Sequence, residues 1–500
     1  MNGDRSATNG LAPEADHSTG VKHRPLEVAG IRRDGMATVP SMRTLKFLAL
    51  SSCVAALASA AAPDAWAQRT TGAVLGTVRD GSGAILPGVS VTASSPSLPV
   101  PSVATTSDSG LYHFIALPPG TYDLRFVLAG FTTVDRRGVM IRVGTAAELD
   151  VEMSVSPVAE NVVVSGDAPL INTTSAQAAS RLDSEFLRAA PINRSYFEFL
   201  RMGEGVNVGT STAPVAFTVF GSGVNDNQFQ LDGSDQTTSH AANTAPAVFP
   251  NPEVIEEIQF LTLGAPAEYG AFMGGVFNAV TRQGGNAFRG DVNLFVQTDG
   301  LTSRNTTQAE DNGRPYTRDR FHDVSVQVGG PILRDKLWFF GSYQNSDDFF
   351  SQAGANPDFP GGTEVRRGLA KFTYQISPAH RLTASLNPSR YESISSSPLS
   401  DPSAINVGPQ TGFTPAVVWN ATLSPTTTLE VRANYYYSNY TAYPPDGEPE
   451  VKTRYVALDT GRISGGVLLV GESIYRKTTV AGKLTRFTDR FLGGSHDLRL

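Results

Sequence analysis

The sequence predicts a three-part β protein: a small β-sandwich, a mixed α/β domain, and the N-terminal part of a transmembrane antiparallel β-barrel. Three observations carry that prediction. Short apolar alternations recur between Gly- and Pro-rich turns up to about residue 153; helix-like and strand-like fragments follow to about 285; and from Phe288 to Leu500 the texture changes to long strands of period two. Composition agrees, because 48 glycines and 32 prolines against one cysteine fit a turn-rich β protein without disulfides or a cysteine metal site. Charged residues make up 17%, which is not the signature of a disordered tail protein, and the hydropathy is not that of a helical membrane protein. A net charge of -7 gives no electrostatic reason to expect nucleic acid as a partner.

Two N-terminal regions stand outside the fold. Residues 1–41 are polar and aperiodic, and read as a disordered extension or an over-extended reading frame, with Met42 as the true start. Met42-Arg43-Thr44-Leu45-Lys46, the apolar run from Phe47 to Ala62 and Ala65-Trp66-Ala67 have the layout of a secretory signal over 42–67, so the mature chain is expected to begin at Gln68. Leu50-Ser51-Ser52-Cys53 also looks like a lipoprotein acceptor site, but the apolar run before Cys53 is short and continues past it.

The sandwich is expected over 69–154. Gly72 to Arg79 reads as a strand, Asp80-Gly81-Ser82-Gly83 as a turn, and Val89, Val91 and Ala93 alternate with polar neighbours. Tyr112 with Phe114, and Tyr122 with Leu124 and Phe126, repeat the period of two, so these aromatics are assigned to the core rather than to a ligand. Gly76-Thr77-Val78-Arg79-Asp80, Leu86-Pro87-Gly88-Val89, Thr106 to Phe114, Leu117 to Tyr122 and Ala129-Gly130-Phe131 together resemble the carboxypeptidase regulatory-like domain. That resemblance implies an extracytoplasmic accessory module, with a fold shared by carbohydrate-binding domains and no enzymatic role.

Glu160-Asn161-Val162-Val163-Val164-Ser165-Gly166 then has an extended apolar centre able to add to a sheet edge. It resembles the TonB box or the strand after it, which makes Glu160, Val162, Val163 and Val164 candidates for contact with an inner-membrane energy complex; an ordinary first strand of the next domain is the competing reading. Over 160–285 the pattern suggests a short helix from Arg181 to Leu187 with Leu182, Phe186 and Leu187 on one side. Strands are expected from Phe217 to Phe220, from Phe229 to Leu231 and from Ile255 to Leu261.

Pro191 to Phe197, Val219 to Gly223, Asn227 to Gly233, Val254 to Phe260, Pro266 to Gly270 and Gly274 to Arg282 are similar to the plug domain of TonB-dependent outer-membrane receptors of the large Oar-like group. One departure is Met202-Gly203-Glu204-Gly205-Val206, where relatives carry a Pro-Gly-Val turn.

The barrel is expected over 286–500. Phe288, Gly290, Val292, Leu294 and Val296 share one face and Arg289, Asp291, Asn293 and Gln297 the other, the dyad of a strand with lipid outside and water inside. The rhythm returns at Val324, Val326 and Val328; at Leu337, Phe339, Gly341 and Tyr343; around Phe372 and Tyr374; at Leu382, Ala384 and Leu386; and from Leu429 to Tyr437. Short turns such as Ser377-Pro378-Ala379 alternate with long polar stretches such as Asp299 to Phe321, as periplasmic turns and external loops would. Trp338 and the clustered tyrosines suit an aromatic girdle. Gly493 to Leu500 reads as entering another strand, so further strands are expected beyond it.

Catalytic readings find little support. His113, His240, His322 and His380 fall in different units, Ser195 lacks a nucleophile elbow, and Asp232 with Asp235 reads as an Asx turn before a calcium site. No catalytic residue, cofactor or metal is expected. The family resemblance implies import of a large or scarce substrate, carbohydrate-derived or an iron chelate, driven by a TonB-ExbB-ExbD-type complex, with outer-membrane lipid around the barrel. Asn225, Asn227, Gln228 and Asp232 are the substrate-facing candidates, and Arg194 is the candidate anchor of plug to barrel. The alternatives are a non-transporting surface protein for adhesion or protein export, and a soluble periplasmic enzyme.

Overall fold

The computed structural model describes residues 71–155, 161–165, 178–190, 195–208, 217–240, 243–246, 248–263, 273–401, 404–424, 426–444, 453–466, 470–491 and 494–500. The leader at 42–67, Glu160 and Arg194 lie outside the described residues.

The sandwich is built from β1 (Gly72–Asp80), β2 (Ser90–Ser95), β3 (Leu98–Thr105), β4 (Leu111–Leu117), β5 (Gly120–Val127), β6 (Thr133–Ile141), β7 (Ala146–Glu148), β8 (Val151–Met153) and β9 (Asn161–Ser165). One sheet runs β4-β1-β7, with β8 also on β1, and the other β3-β2-β5-β6-β9. Alternation puts Val74, Val78, Tyr112, Tyr122, Leu124 and Phe126 between them, all buried. The two buried tyrosines keep their hydroxyls satisfied, donating to the Leu149 carbonyl at 2.7 Å and the Pro118 carbonyl at 2.8 Å.

The mixed α/β part contains β10 (Ala178–Asp183), α1 (Ser184–Ala189), α2 (Tyr196–Leu200), β11 (Val206–Val208), β12 (Phe217–Val219), β13 (Gln228–Leu231), β14 (Ser234–Asp235), β15 (Thr237–His240), β16 (Asn243–Pro246), β17 (Ile255–Leu263) and β18 (Val276–Thr281). Its main sheet has the order β10-β17-β18-β13-β14, with β13 and β18 parallel. Every residue of β18 is buried, and Phe229 stacks on Phe277 with centroids 5.0 Å apart.

The helix expected from Arg181 to Leu187 is corrected here. Arg181 and Leu182 are strand residues paired with Gln259 and Ile258, and the helix starts only after Asp183, whose carboxylate caps it by accepting the Phe186 N–H at 2.9 Å. Sheet pairing outcompetes the helical period, and Leu187 faces the core while Phe186 is 41% exposed.

The wall consists of β19 (Arg289–Gln297), β20 (Thr317–Leu333), β21 (Leu337–Ser351), β22 (Gly361–Ser377), β23 (His380–Ser395), β24 (Asn406–Ser424), β25 (Thr427–Ala442), β28 (Gly471–Phe491) and β29 (Gly494–Arg499), in that order in a nine-stranded antiparallel sheet. The small hairpin of β26 (Arg454–Val456) and β27 (Ile463–Gly465) stands in the long connection before β28. Faces follow the sequence dyad: Val292, Leu294, Val326 and Val328 point out and are exposed, whereas Asp323, Ser325 and Gln327 point in and are buried. Short turns such as 334–336 mark one rim, and long segments such as 298–316 and 443–470 mark the other. This is the arc of a transmembrane barrel.

Trp338 is a second correction. It is 1% exposed on the inward parity, with its Nε1 donating to the Asn286 side-chain oxygen at 2.7 Å. An indole N–H in lipid would lack a partner, and the inner rim supplies one. Tyr435 and Tyr437 do take the outward parity, where Phe413 stacks on Tyr437 at 5.2 Å.

Candidate functional site

The candidate site is the seam between the mixed α/β domain and the inner face of the wall. It starts at the turn after β13. Asp232 and Gly233 both take positive φ, 48° and 69°, a conformation that Asp tolerates and Gly adopts freely. The Asp232 carboxylate accepts the Thr281 N–H at 2.8 Å and the Thr281 hydroxyl at 2.7 Å. On its other side it meets Lys371 Nζ of β22 at 2.9 Å. Lys371, itself buried, also donates to the Thr281 carbonyl at 3.1 Å.

Other wall cations repeat the device. Arg432 of β25 covers Gly233 so closely that a Cβ there would collide with its guanidinium, while Glu430 accepts from it at 2.8 Å. Lys477 of β28 pairs with Asp235, whose other carboxylate oxygen accepts the Thr237 N–H at 2.8 Å in an Asx turn. Arg367 of β22 donates to the Pro250 carbonyl at 2.8 Å and lies over the Phe249 ring at 4.5 Å. Apolar contact comes in small patches, Val248 against Tyr436, Phe249 against Tyr391, and Val254 with Phe340 and Leu369 of the wall. The seam is therefore polar, its anchors are ion pairs or charge-assisted bonds, and those of Arg367, Lys371 and Arg432 have little water around them.

At the lower end, Arg282 bridges Glu256 at 3.7 Å and Asp291 of β19 at 3.5 Å. Asn286 next to it donates to Asp335 at 2.6 Å and accepts from the Asp335 N–H at 3.0 Å. These bonds fix where the chain enters the wall. A cavity of about 1010 Å³ lies beside them, with Ser97, Glu256, Arg282, Lys371 and Arg381 among its lining.

A third junction joins the sandwich to the same sheet. The turn after β6 offers Val143, whose carbonyl accepts from Arg181 and from Gln259, each at 3.2 Å, and whose N–H donates to Glu257 at 3.3 Å. Gly144 takes φ 70° there, and a Cβ would lie 2.8 Å from the Gln259 amide nitrogen. Burial pushes the Glu257 carboxyl up to about 7, against the pull of Arg181 at 3.5 Å.

The sequence candidates are placed unevenly. Asn225 is exposed and Gln228 half-buried. Asn227 is 3% exposed and holds the sheet together, donating to the Phe217 carbonyl at 2.7 Å and accepting from the Gly275 N–H at 2.9 Å. Asp232 faces the wall through Lys371. Val162, Val163 and Val164 form the middle of β9, paired with β6. The wall cations Arg367, Lys371, Arg432 and Lys477 escaped sequence reasoning, although their parity was available: Lys371 alternates with the outward Phe372.

Two family models match, the carboxypeptidase regulatory-like domain over residues 73–154 and an outer membrane beta barrel domain over 280–364. The TonB-dependent transporter Oar of Myxococcus xanthus is 30% identical over 304 residues, covering 56% of this chain. Over these residues the chain resembles the Oar-like TonB-dependent receptors. It spans about a quarter of that relative's length, 27%. Among solved structures it is similar to the siderophore receptor PirA of Acinetobacter baumannii, with 16% identity and a TM-score of 0.48 over 64% of this chain and 46% of the other. It is also similar to the outer membrane transporter YddB of Escherichia coli, with 13% identity and a TM-score of 0.48 over 64% and 47%. These matches support an outer-membrane location with the regulatory-like domain facing the periplasm.

Proposed function

We propose that this receptor imports a large or scarce substrate, carbohydrate-derived or an iron chelate, across the outer membrane by displacing its plug. The proposed division is a sandwich over 69–154, a plug over 160–285 and the barrel over 286–500. The observation that carries the reading is the seam: a folded sheet held inside a wall by separated polar anchors such as Asp232 with Lys371, not by a continuous apolar core. Such anchors hold firmly when all are made and can be broken one at a time, which suits a gate. The work comes from an inner-membrane complex of the TonB-ExbB-ExbD type, acting on Asn161–Ser165. Asn225 and Gln228 are the substrate-facing residues, Asn227 and Asp232 hold the turn between them and the wall, and Arg194 adds an anchor.

Uptake of a panel of labelled ferric chelates and oligosaccharides, in cells with and without the energy complex, tests the reading. Import is expected for at least one class and is expected to vanish without the complex. Binding at the cell surface with no energy-dependent import would instead support adhesion or protein export on the same scaffold.

A further inference from the structure

The sheet β3-β2-β5-β6 is antiparallel throughout, and β9 is added to its β6 edge in parallel. The register sets Thr133 opposite Asn161 and Arg137 opposite Ser165. The segment expected to meet the energy complex is thus already a strand of its own receptor's sandwich.

Three features make β9 the strand of that sheet most readily lifted off. It has five residues, it pairs with one neighbour among the described residues, and its pairing is parallel, which is slightly weaker per residue than antiparallel. Among the described residues no strand covers its outer edge, where a strand from another chain can add. On its inner side, β6 ends at Ile141, two residues before the Val143 turn gripped by Arg181, Glu257 and Gln259. While β9 stays on β6, a pull on it loads the sandwich and this grip in addition to β10.

We propose that the sandwich is a release catch. It presents β9 with one edge open to a strand of the energy-coupling partner, and traction must strip β9 from β6 before the full load reaches the plug through β10. The proposal rests on the reading of Asn161–Ser165 as the coupling contact, and the experiment separates the two. The buried cluster that includes Tyr112 and Tyr122 is built from residues of β1–β8 and the turns between them, so it survives each cycle.

The test uses the full-length receptor in living cells, carrying Arg137→Cys and Ser165→Cys, with bridging by a short bifunctional thiol reagent read on gels. Each single variant must first reach the outer membrane at the unmodified level. Bridging is expected to be efficient in cells lacking the energy complex or treated with a protonophore, and to fall at least ~3-fold in energised cells. A second variant, Val163→Cys, is expected to cross-link to the periplasmic partner. If the Arg137/Ser165 pair never bridges while both single variants are labelled, β9 is not stored and the proposal falls. If bridging is equal in all cells while Val163→Cys captures the partner, the catch does not open, and the proposal fails with the coupling reading intact. If bridging is equal and Val163→Cys captures nothing, the coupling reading itself is wrong and takes the proposal with it.

Discussion

The sandwich interior and the plug–wall seam are built from opposite materials. Between the two sandwich sheets Val74, Tyr112, Tyr122, Leu124 and Phe126 form an apolar cluster with only satisfied hydroxyls among its polar groups. Along the seam, Arg367, Lys371, Arg432 and Lys477 of the wall meet carboxylates, a carbonyl and a glycine of the plug. An apolar core is stabilised in proportion to the area it removes from water and has no discrete points at which to yield. A polar seam is held at points, and each point can be exchanged for water. One region is made to persist, the other to part.

The largest expected effect breaks the persistent side. Phe126→Ala should destabilise the sandwich by about 3–5 kcal/mol through lost burial and a cavity; pulse proteolysis of the purified receptor in urea should show cleavage after β1–β8 open, with the wall unaffected. Equal urea resistance of variant and parent would mean that the sandwich core does not set its stability.

The seam should respond next, and differently. Lys371→Ala leaves Asp232 largely buried without its cation, so plug seating should weaken by about 3 kcal/mol. In the double variant Lys371→Met with Asp232→Asn much of that loss should return, because no charge is left unpaired. Thiol labelling of an Asn225→Cys reporter would read the plug's release. Additive losses in the double variant would show that the two residues do not act as a pair.

The smallest effect concerns the sandwich–plug joint. Glu257 holds its proton up to about 7 when docked, against a usual 4.5. Between those values the docked state binds more protons than the separated one, so its stability falls as pH rises from about 4.5 to about 7 and is level above. Protease access to the linker, followed from pH ~5 to pH ~8, should rise in the parent and stay flat in Glu257→Gln. A parent with no such slope would place the Glu257 carboxylate in water.

Much of this was legible in the residues. Tyr122, Leu124 and Phe126 are a strand face because pleating repeats every two residues, and Val292 to Val296 are an outer face for the same reason. The anchors were not legible, because Asp232 and Lys371 stand far apart in the chain and no local pattern links them. Asn227 and Asp232 carried a local signal, a polar turn, without any sign of which side they faced.

By itself, then, the sequence determined the order of parts, most strand faces and the rim asymmetry, all properties of short-range periodicity and turn chemistry. The tertiary structure decided the rest. Arg181 became a strand residue because β17 offered it a ladder and Glu257 a charge; Trp338 turned inward because Asn286 offered its N–H an acceptor; and β9 joined β6 because that edge was open. In each case two groups distant in the chain had to be brought within a hydrogen bond of each other, and only folding does that.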